Sequence, residues 1–502
     1  HAIPEIIPIQ VGRQLFVDDF LIESTTLKRK FHQAQLVQDK PVFFPETSQE
    51  MNGGFCPLAC PFKDGIFYDD GDQKFKMWYH SGWFDGTSYA ESSDGIHWNR
   101  LEELGEALPM IPHTERQLRD GCAVWLDYNA PAEERYKLFL FYREFDRPIQ
   151  YFHQKRNRNV IEEYGNLYCS ADGIHWKWKC RTSPCGDNTS FFYNPFRKKW
   201  VYSIRYNSKL LNKFRIRGYY ETASFWDASW KKEDIRFWQR ADRLDQADPR
   251  MEYIPQLYNM DATPYESIML GEFGIFLGPP NEICEQAGLP KIIDIKLGFS
   301  RDGFHWHRPD REPFLRSSRI KGTWNYGYLH PANGLCLVVG EHLYFYFSAF
   351  SGRSPQFGYH MYAGGSTGLA VLRRDGFASM EDDGFGGELV TRKLMFQGKD
   401  LYINAESSGG EIRAEMLDEA NQVIKGFSLD DCIPAQSNLT KQKICWKGNP
   451  SLEPYSQKPI RFRFYCRNAK LYSFWVSPKE SGASMGYMAA GGPGFYHGMD
   501  VL

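Results

Sequence analysis

Five acidic residues stand just ahead of strand-like runs or at their starts: Glu50, Asp120, Asp187, Asp261 and Glu266. If those strands converge on one axis, the acids at their starts meet in one pocket. Two carboxyl groups meeting there suit glycosidic bond cleavage: one protonates the leaving oxygen, and the other attacks the sugar or activates water. A third tunes the pair by charge. Glu50, Asp120, Asp187 and Glu266 are the expected set, with Asp261 in reserve. At each position alone, a turn cap or surface acid is the competing reading, because turns attract Asp for local reasons. Arginines recur nearby: Arg119 precedes Asp120, while Arg143 and Arg205 follow strands at matching places. A guanidinium grips a carboxylate with two parallel bonds. That carboxylate could belong to an anionic sugar or to a neighbour such as Glu144 or Asp146. In the fifth unit His330 and Asn333 stand where the others have acids, and Trp83 is a candidate to stack on a sugar face.

The strands that must position these residues are marked by a repeated phrase. Ser92-Ser93-Asp94-Gly95-Ile96-His97-Trp98 recurs as Ser170–Trp176 and Ser300–Trp306. Asp-Gly suits a tight turn with positive φ at the glycine, and the Trp is an anchor. Five strand pairs surround these phrases, with second members at Lys74–Tyr79, Tyr136–Tyr142, Lys199–Ile204, Glu266–Gly271 and His342–Phe347. The third and fifth units carry degenerate versions, Thr222–Trp226 and Arg374–Ser379. A repeat of this kind predicts an all-β, five-bladed β-propeller over residues 1–380. Beyond a Gly-rich break at 381–387, alternating strands at 388–396, 400–406, 411–417, 443–446, 460–467 and 470–476 predict a C-terminal β-sandwich, residues 381–502. The repeated His97, His175 and His305 fall at equivalent peripheral turns, so they are expected to be structural; no metal site and no cofactor is expected.

The chain has 502 residues, a net charge of −2 and 16% aromatic residues. That charge gives no reason to expect a nucleic-acid partner, and no apolar run reaches membrane-spanning length. The 11 cysteines lack metal-ligand spacing and read as small buried hydrophobes. No Gly-x-Ser-x-Gly elbow and no phosphate-binding glycine loop is present.

The run Gly12–Glu23, the Ser-x-Asp-Gly-x-His-Trp phrases and Gly426–Cys432 together resemble bacterial proteins described as similar to glycoside hydrolase family 32. More broadly the chain resembles families 32, 43 and 68, whose five-bladed propeller carries the active site. The family 32 motif Trp-Met-Asn-Asp-Pro-Asn-Gly is not reproduced; Glu50–Gly54 is the nearest segment, and Arg119-Asp120-Gly121 partly echoes the Arg-Asp-Pro motif. The resemblance implies a glycosidase acting on a terminal sugar or short oligosaccharide, furanosidic or anionic, with carbohydrate as its partner. The expected location is secreted or periplasmic, with a leader removed. A non-catalytic carbohydrate-binding propeller and a propeller polysaccharide lyase are the alternatives.

Overall fold

The structure is a computed structural model that describes residues 2–101, 110–111, 114–149, 159–207, 214–488 and 490–502. Strands dominate, and Asn281–Ala287 is the one α-helix among the described residues. None of their helices is long and apolar enough to cross a membrane.

Five antiparallel sheets follow one another along the chain. The first contains Ala59–Asp69, Lys74–Ser81, Gly86–Ser92 and Asn99–Arg100. The second contains Gln117–Leu126, Tyr136–Phe145, Val160–Ser170 and Lys177–Arg181. Ser190–Asn194, Lys199–Asn207, Arg215–Thr222 and Arg236–Gln239 form the third. Gln256–Glu266, Ile268–Gly278 and Ile292–Ser300 form most of the fourth. In the fifth, Gly327–Pro331, His342–Phe350 and Gly365–Arg373 are joined by Gln35–Leu36 from the start of the chain. Two strand bounds differ from the sequence reading. Glu266, with φ of 53°, turns the corner that ends the fourth sheet's first strand, so it does not open the second. The sequence places the fifth unit's first strand at 334–338, whereas the fifth sheet's leading strand is Gly327–Pro331 and Leu337–Val339 is a short strand paired with His342–Phe350.

The repeated phrase is a side-chain-tied turn that docks on the neighbouring sheet. Ser92 Oγ accepts the Gly95 amide at 2.8 Å, and Asp94 Oδ1 accepts the Ile96 and His97 amides. The His97 ring lies 2.7 Å from Asp94 Oδ2. Asp172–His175 and Asp302–His305 repeat the arrangement. Gly95, Gly173 and Gly303 have φ of 78°, 82° and 82°, as the Asp-Gly signal requires. Their turns receive bonds from the preceding sheet: Tyr346 to the Gly95 carbonyl, Trp78 to Gly173, and Asn194 to Asp302. Tyr346 belongs to the fifth sheet and Gly95 to the first, so this contact joins the last sheet to the first. At the centre, Lys63 of the first sheet donates to the Asn188 carbonyl beside the third and lies 3.6 Å from Asp261 of the fourth. Asn333, just beyond the fifth sheet's leading strand, bonds the carbonyls of Val124 and Phe191.

Leading strands of four sheets carry a register shift at the same end: Cys60/Gly65, Arg119/Cys122, Leu257/Asn259 and Gly327/His330. A bulge re-aims side chains where a regular strand would alternate them. At the opposite end of the leading strands lies the Gly-rich C-terminal segment. Tyr487–Met488 pairs with Tyr265–Glu266. Ala490 accepts the Tyr68 amide and donates to Cys336, while Gly491 accepts from Val338. A Cβ on Gly492 would stand 1.8 Å from the Val338 carbonyl oxygen. Gly492→Ala is therefore expected to cost about 1–3 kcal/mol, the usual penalty of overpacking, read as a lower denaturant midpoint.

Two further sheets enclose a separate core. Lys28–Phe31, Ala378–Glu381, Lys470–Ser477, Asp400–Glu406 and Asn438–Lys443 form one. Ile22–Thr25, Gly387–Thr391, Arg461–Arg467 and Glu411–Leu417 form the other. Leu401, Ile403 and Phe474 of the first meet Ile412, Phe462 and Phe464 of the second. Arg461–Arg467 alternates half-buried and buried positions throughout, the pattern of a strand with one face on a core. The N-terminal strands thus share sheets with residues beyond 380. The 381–387 stretch is tied down: Asp382 accepts the amides of Gly384, Gly386, Asn468 and Ala469.

Candidate active site

At the bulged end of the leading strands, two of the expected acids meet. Asp120 lies within the bulge of the second sheet, and Asp187 lies just before the third sheet's first strand. Arg143, on the second sheet's next strand, bridges them. Its Nη1 is 2.5 Å from Asp120 Oδ2 and its Nη2 is 2.6 Å from Asp187 Oδ2. Its Nε reaches Glu163 at 3.1 Å. Arg205, on the third sheet, pairs with the other oxygen of Asp187, and its buried Nε has no hydrogen-bond partner among the described residues. The side chains of Asp120 and Asp187 are 6% and 15% exposed, so both are largely desolvated and Asp187 is the more open.

Beside this pair lies an aromatic and cationic wall. The hydroxyls of Tyr258 and Tyr328 are 3.0 Å apart. Burial alone would raise the Tyr258 hydroxyl, but Lys291 and Arg215 outweigh it and bring the group down to about 8. Burial pushes Tyr328 well above its ordinary value. Lys291 Nζ donates to Asn281 at 2.7 Å and faces the rings of Tyr258 and Tyr328 at 5.2 and 5.1 Å. The Arg215 guanidinium lies 4.7 Å from the Tyr258 ring centre. A cleft of about 810 Å³ opens here, with Arg205, Arg215, Gln256, Phe276 and Asn281 on its walls, within the usual size for a small-molecule site.

Trp83 stacks on Tyr362 at 4.5 Å with a 10° tilt and meets Phe62 edge-on. It is a wall residue of this region with its ring buried. His330 lies in a nest of Phe62, Tyr328 and Tyr258 at 4.2, 4.7 and 5.6 Å. Both its ring nitrogens are buried without a partner among the described residues, and burial holds its pKa well below the ordinary value.

The other expected residues lie elsewhere. Glu50 is saturated: it accepts the amides of Glu46 and Thr47, the Tyr79 hydroxyl at 2.8 Å, and two nitrogens of Arg100. Its oxygens hold a loop to the first sheet. Glu266 sits where the ring of sheets meets the second core, accepting from the Arg13 amide, Ser484 and Arg374. Burial pushes its carboxyl up to about 7. The degenerate fifth phrase is in the same cluster: Asp375 binds Arg13, Tyr265 and Ser473. Asp261 is buried on the fourth sheet's leading strand, held by Ser190, Asn259 and Lys63. Arg119 grips Asp64 with both Nη atoms at 3.0 and 2.9 Å and also bonds Thr87, tying the first sheet to the second. Burial raises Asp64 to about 6 despite Arg119. The structure thus brings together Asp120, Asp187, Arg143 and Arg205, with Trp83 and His330 in the adjoining wall, and leaves Glu50, Glu266, Asp261 and Arg119 outside. Sequence reasoning missed Tyr258, Tyr328, Lys291 and Arg215. The rule that found Asp120, a position at the start of a leading strand, would also have found Tyr258 and Tyr328 with correct strand bounds. No group of three or more His, Cys, Asp or Glu able to hold a metal occurs among the described residues.

No family model matches the sequence, and no curated protein matches it. Solved structures do. One is an N-acetylgalactosamine deacetylase from F. plautii in complex with blood group B trisaccharide, at 13% identity and a TM-score of 0.45, covering 69% of this chain and 96% of that one. A thermostable family-43 glycoside hydrolase matches at 12% identity and 0.38, covering 65% and 94%. A fructofuranosidase from Schwanniomyces occidentalis complexed with fructosylnystose matches at 10% and 0.36, covering 86% and 98%. The chain is thus similar to glycoside hydrolases among the solved structures, at a level that assigns no residue and no substrate.

Proposed function

We propose that the protein is a glycoside hydrolase whose pocket opens at the bulged end of a five-bladed β-propeller, with Asp120 and Asp187 as the working carboxyl pair. In this reading the five sheets are the blades, and the two sheets around the second core are a β-sandwich. The N-terminal strands through Phe31 belong to that sandwich. The segment after Met485 closes the far end of the propeller, leaving a one-ended pocket suited to a terminal sugar. A secreted or periplasmic location is part of the same proposal. The observation that carries the reading is the bridging of two carboxylates by Arg143, with Arg205, the second guanidinium on Asp187, lining an open cleft. One carboxyl protonates the leaving oxygen as the bond to the anomeric carbon breaks. The other attacks that carbon or takes a proton from the attacking water. Arg143 and Arg205 place positive charge beside the pair, and the half-buried Tyr362 ring, backed by Trp83, offers apolar surface to a sugar ring. Release of a reducing sugar from a panel of glycosides, by the full chain, tests it; a panel that includes uronosides and furanosides and yields no cleavage overturns it.

A second reading rests on Tyr258. With its hydroxyl brought down to about 8 and 3.0 Å from that of Tyr328, it could act as the base of a lyase. Tyr258 would take the proton next to a uronate carboxyl group as the bond to the leaving sugar oxygen breaks, and Tyr328 would return a proton to that oxygen. Because the base form exists above the pKa, the lyase rate is expected to rise as pH increases through about 8 and then level off. The product would be unsaturated and ultraviolet-absorbing. A saturated product, with no rise across that range, excludes the lyase.

A further inference from the structure

We infer that the substrate bears an anionic substituent, a carboxylate or its sulfate counterpart, seated between Arg215, Lys291 and Arg205; this rests on the pocket being a carbohydrate site. The argument is one of missing counter-charge. Arg143 is matched by Asp120, Asp187 and Glu163. Arg205 shares Asp187 and keeps a buried Nε without a partner. Arg215 has no carboxylate within ion-pair distance among the described residues, although its guanidinium lines the cleft over the Tyr258 and Phe276 rings at 4.7 and 5.5 Å. Lys291 is 1% exposed; its ammonium bonds the neutral Asn281 oxygen and interacts with the Tyr258 hydroxyl, and no carboxylate lies within ion-pair distance of it among the described residues. A buried cation needs a charged or strongly polar partner to offset its desolvation. Glu252 and Glu282 lie on the same cleft but are exposed and make no ion pair with either cation among the described residues. Aromatic faces lower the cost of holding these cations apart from an acid without removing the attraction for an incoming anion. A guanidinium beside an ammonium fits a planar carboxylate, with paired bonds from the former and a point charge from the latter.

The test is calorimetric titration of the full chain at neutral pH and low ionic strength. The probes are the methyl glycosides of glucuronate, galacturonate and mannuronate, their neutral hexose counterparts and the hexose 6-sulfates. At least one anionic probe is expected to bind about tenfold or more tightly than its neutral counterpart. A uronate leading the series identifies a carboxylate, and a 6-sulfate leading it identifies a sulfate ester. Arg215→Gln, at a partly exposed position, and Lys291→Met are each expected to cut that preference to less than about threefold. No preference for any anionic probe, or a preference that survives both substitutions, overturns the inference. Tight uronate binding with no uronoside cleaved leaves the inference standing and sinks the hydrolytic reading, so the two fail separately.

Discussion

Asp120→Asn is expected to lower kcat/KM by about 10²- to 10⁴-fold, the usual contribution of a positioned acid or base, while sugar binding changes little. Asp187→Asn should do the same. The amide keeps the size of the side chain, and its carbonyl oxygen can still accept from Arg143. What disappears is the negative charge and the exchangeable proton. Arg143 remains neutralised in either variant, because it is shared among Asp120, Asp187 and Glu163. The fold around it should therefore survive, and the lost rate can be read as lost chemistry. Since the two acids act on one bond, the double variant should be little worse than either single one. Steady-state kinetics with calorimetric binding on the same preparations checks this. Parallel losses of turnover and binding would point to a binding role for these acids.

Glu50→Gln is expected to have the opposite profile: a large loss of stability with activity kept by the molecules that remain folded. Glu50 is buried and contacts two Arg100 nitrogens, the Tyr79 hydroxyl and two loop amides. An amide turns one acceptor into a donor that faces existing donors and leaves Arg100 without its closest counter-charge. Breaking one partner of a buried pair costs about 3–5 kcal/mol. The second contact of Arg100, with the exposed Glu46 at 2.9 Å, keeps part of its counter-charge and places the expected loss at the lower end of that range. Denaturant unfolding reads the stability, and activity per folded molecule should stay within about twofold of the parent. A stable Glu50→Gln variant without activity would return Glu50 to the catalytic set.

The sheet order was legible because the signal that marks it is local. Asp94, Asp172 and Asp302 each organise their own turn through amides two and three residues ahead, and such chemistry is visible in a short phrase. The docking of Gly95 under Tyr346 was not legible, because it joins residues far apart in the chain. The proposed site was half legible. Asp120 and Asp187 follow from the rule that acids at leading-strand starts share a pocket. The same rule failed at Glu50 and Glu266 for identifiable reasons. Glu50 lies in the loop before its strand and turns inward to Arg100, and Glu266 lies at the far end of its strand. Tyr258 was missed because the bulge at Leu257/Asn259 breaks the two-residue alternation on which a strand reading depends, and Lys291 because it lies just before a strand, at Ile292–Ser300, rather than in one. Tyr and Lys in an aromatic-rich strand also look like ordinary packing. Membership of the second unit by Ile22–Thr25 and Lys28–Phe31 was hidden for a similar reason: strand pairing across most of the chain leaves no local mark.

The most direct measurement of the central claim is cleavage in water enriched in ¹⁸O, with mass analysis of the product sugar for the parent and for the Asp120→Asn and Asp187→Asn variants. Hydrolysis through this pocket predicts one heavy oxygen at the anomeric carbon per bond cleaved by the parent, and almost no cleavage by either variant. An unsaturated product without the label, or labelled product formed by both variants at the parental rate, would contradict it.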